Sequence, residues 1–106
     1  MNMENIVFHI ILHAGNAKSN CFEALSEARG GNFSEAERLL ELAKKELLEA
    51  HNVQTGMLQK EAAGAEQQLS LLLVHAEDHL MNALLAKDLI EEMIRMYKVF
   101  RPLGDE

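Results

Sequence analysis

The stretch that decides the fold is LVHAEDHLMNA, residues 73–83. Its apolar residues recur at intervals of three and four, which is the period of an α-helix rather than a strand. Successive residues on a helix are rotated by about 100°, so His75 and His79 lie one turn apart on a shared face. That face continues through polar or small residues, and we therefore expect both imidazoles to be accessible.

Asp78 falls on a different line of the same helix, together with Val74, Met81 and Leu85. An ionised carboxylate buried alone in an apolar seam costs several kcal/mol. Three outcomes are open: Asp78 faces water, it is protonated, or it meets a cation or a partner chain.

Two further helices precede this one. The helical period runs from Ile6 to about Ala28 and stops at the Gly30-Gly31-Asn32 turn. A capping box beginning at Ser34 predicts the start of the second helix, and Gly64 predicts its end.

Ser70 can cap the third helix, which Pro102 and Gly104 terminate. The predicted helices span about 4–30, 34–63 and 70–99, with a short flexible tail at 100–106. Short links between long helices favour an all-α, antiparallel up-down-up three-helix bundle.

Bulk properties exclude several classes of protein. The chain has 106 residues, so it is one small domain that gains from oligomerisation. Its net charge is −7 and its basic residues are scattered, so we do not expect it to bind nucleic acid. The longest apolar run, residues 71–74, is too short to span a bilayer, and no secretory signal is visible, so we expect a cytoplasmic protein. The single cysteine, Cys21, predicts a buried, inert thiol and no disulfide.

The histidine pair could serve three purposes. A zinc hydrolase needs glutamate directly after the first histidine, where this chain has Ala76, and Glu77 points about 200° away from His75. An accessible neutral imidazole can instead accept a phosphoryl group, so His75 is the candidate nucleophile and His79 a candidate donor to the phosphoryl oxygens. Asp78 could hold a divalent cation if three copies met around an axis.

Plainer interpretations remain open at this point. The chain could be a non-catalytic helical adaptor, or a metal-binding protein that uses His75 and His79. We expect His9 and His13 to be structural, because no acidic residue accompanies them in sequence, and we leave the role of His51 open. The methionines, including Met81, Met93 and Met96, are predicted to fill the core.

Three segments resemble the lactose/cellobiose class of enzyme IIA components of the bacterial sugar phosphotransferase system. They are IILHAGNAKS at 10–19, EAHNVQT at 49–55 and LLVHAEDHLM at 72–81. The resemblance covers about residues 4–99, in the order and spacing of the family.

This resemblance implies a phosphotransferase component that acts as a homotrimer of three-helix protomers. His75 would be phosphorylated by the histidine phosphocarrier protein, and the acceptor would be a cysteine of enzyme IIB, in uptake of a lactose, cellobiose or chitobiose type of sugar. Asp78 would lie at the trimer axis and hold one shared divalent ion, typically Mg²⁺. Cys21 does not correspond to the acceptor cysteine.

Overall fold

The computed structural model describes residues 2–64 and 70–100. Within these ranges the chain forms three helices and no strand: α1 is Met3–Arg29, α2 is Phe33–Ala62 and α3 is Leu71–Phe100. Phe100, assigned to the tail from sequence, is the last residue of α3, and the rest of the predicted tail lies outside the described residues.

Interhelical contacts show that neighbouring helices are antiparallel. Lys98 pairs with Glu37 at one end of the α2–α3 interface, and Gln54 pairs with Glu77 toward the other, so residue numbers run in opposite directions along the two helices. The helix α1 packs more extensively against α2 and α3 than those two pack against each other. The result is the up-down-up bundle that the sequence predicts.

The turn after α1 follows from its glycines. Gly31 has φ of 91°, a left-handed conformation that costs glycine little. Its N–H donates to the carbonyl of Ala28, and the N–H of Asn32 donates to that of Glu27. These two bonds form a Schellman motif, which satisfies the last carbonyls of α1 and reverses the chain within three residues.

The predicted cap of α2 is wrong, whereas that of α3 is confirmed. The N-cap of α2 is Asn32, which makes no side-chain capping bond, and Ser34 already lies inside the helix. Glu37, the expected partner in a capping box, pairs with Lys98 of α3 instead. At the start of α3, the N–H of Leu73 donates to Ser70 Oγ at 3.0 Å, as Ser70 was predicted to accept.

The core is built largely from small side chains, which lets the three helices approach closely. Among the described residues, every buried residue is apolar, and the largest fully buried ones are Ile10, Leu80 and Cys21. The buried alanines lie on all three helices: Ala14, Ala17, Ala24, Ala28, Ala36, Ala43, Ala50, Ala76 and Ala83. The prediction that Cys21 is buried is confirmed, and desolvation raises the pKa of its thiol to about 11.

None of the three helices, over the ranges described, combines the length and apolar character that crossing a bilayer requires.

Candidate functional site

The site begins with two imidazoles in contact near the start of α3. His79 Nε2 lies 3.1 Å from His75 Nε2, and the rings meet edge to face at a centroid distance of 4.6 Å. A hydrogen bond between two such nitrogens requires one to carry a proton and the other to offer a lone pair. The spacing of one turn therefore places both rings on the shared face that is expected from sequence.

His75 is held at the surface by the buried side of its own helix. Leu73, Ala76 and Leu80 are buried and fix which side of α3 faces the core. His75 consequently points outward and is exposed, while His79 is half-buried. His75 is therefore accessible at the surface of the single chain, and its neighbour His79 is less exposed.

Asp78 is exposed in the single chain and lies within a stripe of exposed apolar side chains on α3. A groove of about 310 Å³ joins this stripe to α1, with Phe22 on one side and Leu85 and Leu89 on the other. We call the surface formed by both helices the apolar face. By their helical rotation we assign to it the exposed side chains of Phe8, Leu12, Phe22, Val74, Met81, Leu85, Leu89, Met93 and Met96.

The apolar face corrects one prediction from sequence. Met81, Met93 and Met96 are 55%, 41% and 56% exposed, so they do not fill the core of the single chain. Helical period alone cannot separate a stripe that faces the other helices from one that faces outward, because both repeat every three or four residues.

One chain does not by itself offer a metal site at Asp78. Among residues 2–64 and 70–100, no group of three histidine, cysteine, aspartate or glutamate side chains is arranged to hold an ion. Carboxylate oxygens suit a hard divalent cation, but a cation at Asp78 would need further donors from water or from other copies of the chain.

The other histidines lie apart from this pair. His13 Nδ1 donates to Glu46 Oε2 at 2.5 Å, and the ring of His9 stacks on that of His13. No acid lies beside His13 in sequence, and α2 supplies one in the fold. The described hydrogen-bond contact of His51 is with Thr55 of its own helix.

One polar contact near the site was missed from sequence. Gln54 of α2 donates a hydrogen bond to the carboxylate of Glu77 on α3, two residues after His75. Sequence does not predict this contact, because it depends on the stagger of two helices. The helical rotation of Glu77 away from His75 was the available signal that it faces a neighbouring helix.

Comparison with known proteins supports the resemblance seen in the three segments. The model of the family described as PTS system, Lactose/Cellobiose specific IIA subunit, matches residues 5–98. The lichenan-specific phosphotransferase enzyme IIA component of Bacillus subtilis (strain 168) is 47% identical over 96 residues, covering 91% of this chain and 87% of that protein.

Solved structures agree in fold as well as in sequence. The crystal structure of the PTS cellobiose-specific enzyme IIA from Bacillus anthracis has a TM-score of 0.91 and 44% identity, and the match covers 98% of this chain and 96% of that one. A chain in the solution structures of the IIA(Chitobiose)–HPr complex of Escherichia coli has a TM-score of 0.80 and 34% identity, with coverage of 96% and 99%. The chain therefore belongs to the lactose/cellobiose-specific IIA family of the phosphotransferase system.

Proposed function

We propose that this IIA protein is a cytoplasmic phosphoryl carrier that accepts its phosphoryl group on His75. The donor is the histidine phosphocarrier protein, HPr, and the acceptor is a cysteine of enzyme IIB, coupled to uptake of a sugar of the lactose, cellobiose or chitobiose type. The observation that carries the proposal is the exposed imidazole of His75 in contact with His79. The HPr complex of the IIA(Chitobiose) relative supports the choice of donor.

The transfer is an exchange of one bond for another at phosphorus. A lone pair on a ring nitrogen of His75 attacks the phosphoryl group of the donor histidine, a new N–P bond forms, and the donor's N–P bond breaks. The phosphoryl group then leaves His75 when the sulfur of the enzyme IIB cysteine attacks phosphorus. Such exchanges depend mainly on positioning and charge stabilisation, so an exposed side chain on a rigid helix is adequate and a deep pocket is unnecessary.

His79 is placed to assist this exchange. In the unphosphorylated chain its Nε2 is within hydrogen-bond distance of His75 Nε2, which orients both rings. Once His75 carries the phosphoryl group, a protonated His79 nitrogen can donate to a phosphoryl oxygen and offset part of its charge.

We also propose that the protein works as a homotrimer with Asp78 at its axis. The apolar face is a large exposed surface for a chain of this size, and association of like faces would cover it. The Asp78 carboxylates of three protomers would then lie close together. One shared Mg²⁺ would fit these oxygen donors and supply positive charge where like charges otherwise repel.

The phosphoryl assignment is tested by intact mass spectrometry. The protein is incubated with phosphoenolpyruvate, enzyme I and HPr, and is compared with variants His75→Gln and His51→Gln. His51 is the matched control because it too is an exposed histidine on a helix. Wild type and His51→Gln should each gain one phosphoryl mass, and His75→Gln should gain none. An unmodified wild type would instead support a non-catalytic helical adaptor.

A further inference from the structure

We infer that the Gln54–Glu77 pair positions the His75 imidazole for phosphoryl transfer by fixing the rotation of the first turns of α3. This inference rests on the proposed function. It concerns two positioning residues, since neither has a described contact with His75.

The pair lies on the side of α3 that faces away from His75. Gln54 Nε2 donates to Glu77 Oε2, and both side chains are half-buried between α2 and α3. Because Glu77 is rotated by about 200° from His75, a turn of α3 about its axis would separate Glu77 from Gln54 and swing His75 by the same angle. The bond therefore resists the motion that would misdirect the imidazole.

Fully buried apolar residues are few at this end of the α2–α3 interface, where Val53 and Met57 of α2 are partly buried against the core. The last buried residue of α2 is Ala50, and every described residue from Leu58 to Gly64 is exposed. Before Leu80, α3 contributes only Leu73 and Ala76 to the buried core. Because few core contacts fix the rotation of α3 here, the Gln54–Glu77 hydrogen bond adds a constraint on that rotation.

A second link between α2 and α3 provides a control. Lys98 pairs with Glu37 near the opposite end of the interface, far along the helix from His75. Lys98 also lies over the ring of Phe33 of α2, 5.7 Å from its centroid. Replacing Lys98 therefore removes an exposed link between the same two helices and leaves the first turns of α3 untouched.

The bond requires an acceptor at position 77 and does not require a charge. Glutamine there still offers an amide oxygen to Gln54, whereas leucine offers none. Glu77→Gln is therefore the conservative variant that should rescue positioning, and Glu77→Leu and Gln54→Leu are the disruptive variants. If the two residues act as one unit, the double leucine variant should be no slower than either single variant.

The kinetic test measures phosphorylation by HPr over a range of concentrations of this protein. Misorientation lowers the fraction of competent His75 without removing docking contacts, so the maximal rate should fall about tenfold, equivalent to about 1.4 kcal/mol, with little change in half-saturating concentration. Glu77→Gln and the control Lys98→Met should remain within about threefold of wild type. Equal rates in Glu77→Leu and wild type, or an equal loss in Lys98→Met, would overturn the inference.

A second readout needs no phosphoryl transfer. Imidazole nitrogen resonances of His75 and His79 in the isolated protein report the contact between their rings. They should shift in Glu77→Leu and stay in place in Glu77→Gln and Lys98→Met. If wild type is never phosphorylated, the proposed function fails while this readout still tests positioning; unchanged resonances in Glu77→Leu would refute the positioning role itself.

Discussion

Replacing Leu85 by glutamate should dissociate the proposed trimer. Leu85 is 58% exposed in the single chain and lies beside Phe22 in the groove of the apolar face. The nine large side chains of that face are between 41% and 63% exposed. Fully burying one such side chain is worth about 1.5–3 kcal/mol, so covering the exposed half yields roughly 1 kcal/mol each and about 9 kcal/mol per protomer.

Three protomers would together gain about 27 kcal/mol, and the two association steps of a trimer cost about 4–15 kcal/mol each, which is a total of similar size. The margin that holds the trimer together is therefore small. Leu85→Glu removes about 1 kcal/mol of burial and places a carboxylate in the seam at a cost of several kcal/mol per protomer. Over three protomers this loss exceeds the small net free energy of association, so the variant should be a folded monomer.

Sedimentation velocity measures the oligomeric state, and circular dichroism checks that helix content is retained. The matched control is Leu48→Glu on α2, where the leucine is 55% exposed but lies outside the apolar face. Wild type and Leu48→Glu should sediment as three-chain species. A trimeric Leu85→Glu protein, or equal dissociation of Leu48→Glu, would refute the assignment of this face to assembly.

Two further predictions concern Asp78 and Cys21. Asp78→Leu should lose the proposed divalent ion, as measured by elemental analysis after dialysis. It should retain the proposed trimer, because apolar packing often replaces buried charge without loss of stability. Stoichiometric metal in that variant would exclude Asp78 as the ligand. Burial raises the pKa of the Cys21 thiol from 9.0 to about 11. At pH 8 the thiolate fraction should therefore be about 100-fold lower in the folded protein than in the unfolded protein, and the rate of alkylation should fall at least as much. Because the thiol of the unfolded chain ionises first, the contribution of this shift to the free energy of unfolding is absent below about pH 9 and lowers it toward pH 11. Fast alkylation of the native protein at pH 8 would contradict the burial of this thiol.

Features set by one helix or one turn were predictable from sequence. The contact of His75 with His79 follows from their spacing of one turn, and the end of α1 follows from glycine at the left-handed position. The exposure of His75 followed from its place on a polar strip of the helix. Each of these depends on local geometry that the period of the helix fixes.

Features set by two elements were harder to predict. His13 contacts Glu46, which lies 33 residues away in sequence. Glu37 does not cap α2 as predicted but pairs with Lys98 of α3. The Gln54–Glu77 contact needs both the stagger and the rotation of two helices. Sequence period locates the apolar stripes of each helix. It does not determine which stripe faces the other helices or the relative offsets of the helices, which depend on how small core residues let the helices approach.

The proposed function requires that His75 alone carries the phosphoryl group. The most direct measurement is fragmentation mass spectrometry of the intact phosphorylated protein at alkaline pH, which assigns the phosphoryl mass among the five histidines and Cys21. Every fragment that carries the phosphoryl mass should contain His75, and none should be explained by another residue. Phosphoryl mass on any other histidine or on Cys21, with His75 unmodified, would contradict it.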